Sequence, residues 1–139
     1  KELAGARMPM WLTEGLPEYM AMKIETQYEI PRFDFMKGGG LQRIDSTCGA
    51  ALGSELGEFI LKYVGTRGVL MELFGEQRAQ YAAPFYNCSC SFTKFLAEQL
   101  GDEALVSAIA AFNEEHEVIE KAAGRPLETL KGEWLKKWK

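Results

Sequence analysis

Histidine is almost absent from this chain of 139 residues, which contains only His116. Cysteine is scarce as well: Cys48, Cys88 and Cys90 are the three present, and no pair has the C-x-x-C spacing typical of zinc and dithiol motifs. These shortages make a metal site built from cysteines within the chain improbable. The odd number leaves at least one thiol free unless it pairs between chains, and the cellular compartment stays open.

Neither an excess of positive charge nor a long apolar run is present. Sixteen Lys and Arg stand against 20 Asp and Glu, which gives a net charge of -4, whereas affinity for nucleic acid needs clustered cations. No run approaches the roughly 20 apolar residues that cross a bilayer, so we expect no membrane segment. One basic cluster stands near the end, and we expect it to be the solvated face of a last helix: Lys131, Lys136, Lys137 and Lys139.

What is present is the composition of an ordinary globular domain, with 47% hydrophobic and 26% charged residues. Apolar residues recur at helical spacing in six segments, and no strand pattern of similar strength occurs. The segments run from Thr13 to about Thr26, from about Ser46 to Tyr63, from about Asn87 to Leu100, from Asp102 onward, from Asn113 to Ala123, and from Pro126 onward. The sequence therefore predicts an all-α fold, a single helical domain over residues 1–139.

Local signals refine the helix ends. Thr13 is a plausible N-cap, which would place Pro17 in a first turn, where its missing N–H costs little. Gly101 and Gly124 stand where helices commonly stop. Gly49, Gly53 and Gly57 weaken the second predicted helix, and their four-residue spacing favours close helix packing there.

The most informative stretch is Pro9-Met10-Trp11-Leu12-Thr13-Glu14-Gly15-Leu16-Pro17-Glu18-Tyr19-Met20. It resembles the metal-ligand helix of gluzincin zinc metallopeptidases, the clan of thermolysin-like and M1 aminopeptidase-like enzymes. In that clan a W-L-x-E-G-x-x-x-Y pattern supplies a glutamate as the third zinc ligand, after two histidines from a helix bearing HExxH. The resemblance implies that Glu14 is a zinc ligand. The alternative is a first-turn carboxylate that merely favours the helix dipole.

A second part of the resemblance lies downstream, in Tyr81-Ala82-Ala83-Pro84-Phe85-Tyr86 followed by Ser91-Phe92-Thr93-Lys94-Phe95-Leu96 and Gly101. It looks like the family segment in which a tyrosine precedes a helix and donates its phenol to the oxyanion of the tetrahedral intermediate. The resemblance implies this catalytic role for Tyr86, with Tyr81 as the alternate. The Lys-Gly that usually follows the tyrosine is replaced by Asn87-Cys88-Ser89. The alternative role for Tyr86 is a boundary aromatic with a wet hydroxyl.

The end of the chain, through Gly124-Arg125-Pro126-Leu127-Glu128-Thr129-Leu130 and Glu133-Trp134, is similar to the helical end of bacterial peptidases of this clan.

Catalytic zinc takes three protein ligands and a water whose pKa falls to about 7. Glu18, four residues after Glu14, shares its helix face, so we expect Glu18 either to orient a ligating histidine by a hydrogen bond or to be a solvated carboxylate.

The histidines of such a site are missing. His116 is followed by Glu-Val-Ile-Glu, which is not HExxH, and we expect it on the exposed side of an acidic helix. We therefore expect the 139 residues to be the C-terminal lobe of a longer peptidase, inactive alone and binding zinc only with an HExxH segment before Lys1. The face of the Thr13 helix that would meet that segment should be partly uncovered, which would favour self-association.

Two other classes of function stay open. The first is a binding module descended from such a peptidase, in which the histidine helix is lost and the lobe recognises a partner. The second is cysteine-nucleophile chemistry at Cys88 or Cys90, for which only His116 could act as the base, and no local signature supports that pair.

Overall fold

The computed structural model describes residues 10–28, 43–65, 75–110 and 117–138. For a few of these residues, including Glu14, it describes only the backbone. The described ranges contain helices and turns but no strand, which confirms the all-α prediction. The helices are α1 (Met10–Tyr28), α2 (Ile44–Leu52), α3 (Gly57–Tyr63), α4 (Gly75–Leu100), α5 (Asp102–Ala110), α6 (Glu117–Ala123) and α7 (Leu127–Leu135), followed by a 3-10 turn, Lys136–Trp138. Over these ranges, no helix combines the length and apolar character needed to span a membrane.

Helix α4 is the centre of the described fold. At 26 residues it is the longest of the described helices, and α1, α2, α3, α5, α6 and α7 all pack against it. Phe92 of α4 lies between two buried tryptophans, with its ring centroid 5.1 Å from that of Trp11 in α1 and 5.1 Å from that of Trp134 in α7. Edge-to-face rings of this size bury a large apolar area, so the three aromatic residues join both ends of the chain through α4.

Two of the described prolines lie inside helices, whereas Pro126 directly precedes α7 as predicted. Helix α1 begins at Met10, so Thr13 is inside the helix rather than its N-cap, and Pro17 is in the helix interior. Helix α4 begins at Gly75 instead of near Asn87 and contains Pro84. Pro17 is exposed and Pro84 is half-buried. A proline in a long helix bends it without ending it when packing on both sides keeps the helix in place.

The single helix predicted for residues 46–63 is two helices. Helix α2 ends at Leu52, and Ser54 then forms a local turn in which its hydroxyl donates to the carbonyl of Ala51, 2.6 Å away, and accepts from the N–H of Leu56. Short hydroxyl side chains compete with helical hydrogen bonds in this way. By contrast, Gly101 and Gly124 end α4 and α6 with φ of 90° and 73°, as predicted.

Candidate functional site

The gluzincin-like motif lies on α1, and most of its residues pack against the rest of the fold. Trp11 and Leu12 are buried, and Tyr19 is 4% exposed. These three side chains therefore fix the side of α1 that faces the core.

Gly15 lies at a close approach of α1 to α4. A Cβ built on Gly15 would lie 2.5 Å from Oγ1 of Thr93 and 2.6 Å from the carbonyl oxygen of Ser89. Both distances are far below van der Waals contact, and the Ser89 atom belongs to the backbone of a long helix. Only glycine allows this helix crossing. Packing of α1 on α4 therefore explains the glycine of the Glu-Gly pair.

Glu14, the predicted zinc ligand, immediately precedes this crossing in α1. Its side chain is outside the described part of the structure, so the zinc role stays a prediction. Glu18 is half-buried one turn further along α1. It takes part in an interaction of its own, and its predicted role toward a ligating histidine is likewise untested.

Tyr86 is inside α4 rather than before a helix, as its residue range shows. It precedes Ser89, which contacts Gly15, by one helical turn, so the sequence positions of Tyr86 and Glu14 flank the same helix crossing. The ring of Tyr86 is half-buried and meets Phe85 edge-on at 6.3 Å. Among the described residues the Tyr86 hydroxyl has no hydrogen-bond partner, which leaves it able to donate to a ligand.

Tyr81, the alternate oxyanion donor, packs elsewhere. Its ring stacks on that of Phe59 in α3, with centroids 4.1 Å apart and planes 17° apart. Because this stack occupies one face of the ring in an interhelical contact, Tyr81 acts in packing between α3 and α4. The choice between Tyr86 and Tyr81 as the oxyanion donor stays a prediction.

A polar cluster that the sequence does not reveal anchors the other end of the motif. The hydroxyl of Tyr19 donates to Oδ1 of Asp102, 2.8 Å away, and the ammonium of Lys23 pairs with Oδ2 of the same carboxylate. Burial raises the pKa of Tyr19, and the nearby charge of Glu98 adds to this effect. Its phenol therefore stays protonated at neutral pH and holds α1 to the first residue of α5.

A second cluster joins α2, α4 and the end of the chain. Oδ1 of Asp45 accepts from Ser91, 2.6 Å away, while Lys94 and Lys137 each lie 2.9 Å from Oδ2. Trp134 donates its indole N–H to Ser91, 3.0 Å away. Burial alone would raise the pKa of Asp45, but the hydrogen bonds from Ser91, Lys137 and Lys94 outweigh it and hold the pKa below its ordinary value.

The basic cluster near the end of the chain is not simply a solvated face. Lys131 is half-buried, its ammonium donates to the carbonyl of Leu61 in the last turn of α3, and burial lowers its pKa to about 8. Lys137 joins the Asp45 cluster. Only Lys136 of the described lysines in this cluster is exposed without such a contact.

The described residues do not by themselves fit a zinc site. No three His, Cys, Asp or Glu side chains among them lie close enough together to hold a metal ion, and catalytic zinc needs three protein ligands. Glu14 offers one carboxylate, and His116 is outside the described ranges. Any zinc bound through Glu14 would need donors from residues beyond this set.

Two of the three cysteines are joined. Cys48 of α2 and Cys88 of α4 form a disulfide, and Cys90 is a buried free thiol. The bond removes Cys88 as a nucleophile, and Cys90 is fully buried, which weighs against cysteine catalysis because the attacking thiolate must reach its substrate.

Comparison with models of known families, with curated proteins and with solved structures finds no match.

Proposed function

We propose that this chain is the helical lobe of a gluzincin-like zinc peptidase that contributes Glu14 as a metal ligand and Tyr86 as an oxyanion donor. One observation supports the proposal: the crossing of α1 and α4 lies close in sequence to both Glu14 and Tyr86. At this crossing Gly15, the residue after Glu14, lies against the backbone of Ser89. Ser89 follows Tyr86 by three residues on α4. Two residues that the proposal needs at one site therefore flank one helix crossing.

The two residues belong to elements that suit these roles. The backbone of Glu14 lies in α1, which packs against α4, so a metal ligand at this position would come from a fixed element of the fold. The half-buried phenol of Tyr86 has no partner among the described residues, so it can donate to a negative oxygen that develops during hydrolysis of a peptide bond. The substrate class would be a peptide or protein.

The test is the zinc content of the protein expressed from its full coding sequence. We expect the coding region before Lys1 to encode HExxH, and the purified protein to hold one zinc per chain by atomic emission. Glu14→Ala should lose this zinc and the peptidase activity together, because two histidines alone bind zinc weakly.

The matched control is Glu58→Ala, which removes an exposed glutamate from the first turn of α3. It should retain zinc and activity. Zinc retained by Glu14→Ala would contradict the proposal. A coding region without a histidine pair would instead favour the non-catalytic binding module, whose signature is that no version of the protein hydrolyses peptides.

A further inference from the structure

We infer that the Cys48–Cys88 disulfide forms as part of folding in an oxidising compartment, that it holds α2 against α4, and that Cys90 is retained as a thiol. The inference is independent of the proposed peptidase function. It concerns the covalent state of the mature chain, which the sequence leaves undecided among three pairings.

The disulfide belongs to a regular interface between α2 and α4. Asp45 and Cys48 are three residues apart on α2, and Cys88 and Ser91 are three residues apart on α4. Asp45 bonds Ser91 while Cys48 bonds Cys88, so the contacts advance in opposite directions along the two helices. Both cysteines are fully buried. The covalent bond therefore sits one turn from a polar contact that already aligns the two helices.

The position of Cys90 explains why it is left out of this bond. Residues two apart on a helix point about 200° apart around its axis, so Cys88 and Cys90 face different neighbours. Cys88 faces α2, whereas the sulfur of Cys90 lies 3.9 Å from that of Met22 on α1. A bond between Cys88 and Cys90 would break α4, and a bond between Cys48 and Cys90 would require α4 to rotate by nearly half a turn.

The chemistry is an ordinary two-electron oxidation. The thiols of Cys48 and Cys88 lose two protons and two electrons, one S–S bond forms, and a disulfide of the class RS–SR is reduced to two thiols. Such bonds persist in secreted and periplasmic proteins and are rare in the reducing cytosol. A fully buried disulfide between two packed helices is accordingly the mark of a chain that matures outside that environment.

The bond also constrains the helix crossing described above. Cys88 directly precedes Ser89, whose carbonyl oxygen lies against Gly15. The same turn of α4 is therefore fixed on one side by α2 and on the other by α1. Without the disulfide, α2 would be held to α4 by noncovalent contacts alone, among them the hydrogen bonds of Asp45 with Ser91 and Lys94.

The first experiment identifies the free thiol in the wild-type chain. The chain is isolated from its native cells after acid trapping, denatured, and alkylated with iodoacetamide without reduction. We expect one alkyl group per chain, assigned to Cys90 by fragment-ion mass spectrometry. Fragmentation is needed because no lysine or arginine separates Cys88 from Cys90. Three alkyl groups, or one on Cys48 or Cys88, would overturn the inference.

The second experiment measures what the bond does. Dithiothreitol should lower the melting temperature of the purified wild-type chain by about 10 °C, because the bond closes a loop of 40 residues. The double variant Cys48→Ala/Cys88→Ala should melt at a lower temperature that dithiothreitol does not change. Cys90→Ala, the matched control on the same helix, should keep the full response. A wild-type melting temperature insensitive to complete reduction would contradict the role of the bond.

Discussion

At the scale of single residues, the gluzincin-like motif separates into residues explained by packing and one that packing does not explain. Trp11 and Leu12 are buried, Gly15 permits the crossing with α4, and Tyr19 binds Asp102. Each of these would be required by the fold whatever its chemistry. Any catalytic function of the motif therefore depends on Glu14. The most informative variants are those that change a proposed chemical group without changing the packing.

Tyr86→Phe separates the packing role of this residue of α4 from its proposed chemical role. The substitution keeps the ring that packs on Phe85 and removes only the hydroxyl, which has no partner among the described residues. If the full-length protein is the proposed peptidase, we expect kcat to fall about 100-fold or more, the scale for loss of one oxyanion donor, with zinc content and melting temperature unchanged. Tyr81→Phe is the control and should retain kcat. An unchanged kcat in Tyr86→Phe would reject the catalytic role.

Gly15→Ala tests the helix crossing in the 139-residue chain. The added methyl would meet Thr93 and the carbonyl of Ser89 at about 2.5 Å, so α1 must move away from α4. We expect a loss of about 1–3 kcal/mol in the free energy of unfolding in urea. Gly132→Ala is the control: it is exposed in α7, nothing lies within 4 Å of its Cβ position, and alanine should stabilise that helix by up to about 1 kcal/mol. A neutral Gly15→Ala would contradict the close approach.

At the scale of elements, helical periodicity predicted where most of the described helices lie but not all of their ends. The glycine stops at Gly101 and Gly124 were predictable because a positive φ favours glycine locally. The continuation of α1 and α4 through Pro17 and Pro84 was not, since it depends on packing against distant residues. Periodicity also could not show that Ser54 would interrupt the second helix.

The attachment of α7 to the end of α3 gives a prediction at this scale. Burial lowers the pKa of Lys131 to about 8, against about 10.4 in an unfolded chain. Between these values the unfolded chain binds more protons than the folded one, so the Lys131 contribution to the free energy of unfolding increases as pH rises. Below pH 8 both forms are protonated and this contribution is constant.

The measurement is urea unfolding at pH 7.5 and pH 9.5 for the wild-type chain and Lys131→Met. We expect the wild type to gain stability relative to the variant across this interval, because the variant has no ammonium to deprotonate. Tyr19 and Lys94 have raised pKa values, so they act mainly at higher pH. Lys121→Met, which removes an exposed lysine of α6, should follow the wild type. Parallel curves for the wild type and Lys131→Met would contradict the burial of this ammonium.

At the scale of the whole molecule, the contacts that hold the candidate site together join residues far apart in sequence. Tyr19 and Asp102 are 83 residues apart, and the disulfide joins residues 40 apart. A single sequence shows that such a residue is polar or is a cysteine. It does not show which distant residue that side chain contacts. The motif could thus be predicted to lie on a helix, while its neighbours could be found only from the fold.

Self-association is the prediction that depends on the whole surface. Of the described large apolar side chains, Ile24 on α1 and Val106 on α5 are the exposed ones, at 47% and 42%. Ile24 lies on the helix whose face we expect to be partly uncovered, so a second copy should bury it. In sedimentation equilibrium we expect the average mass to rise above 15.6 kDa with concentration.

Ile24→Asp should abolish this rise, because a dimer would bury its carboxylate without a partner. Val106→Asp, which places the same charge on α5, should leave the rise unchanged if α1 alone forms the interface. Equal loss in both variants would place the contact across both helices. A mass of 15.6 kDa for the wild type at every concentration would contradict self-association and would favour a lobe whose described surface is complete without a partner.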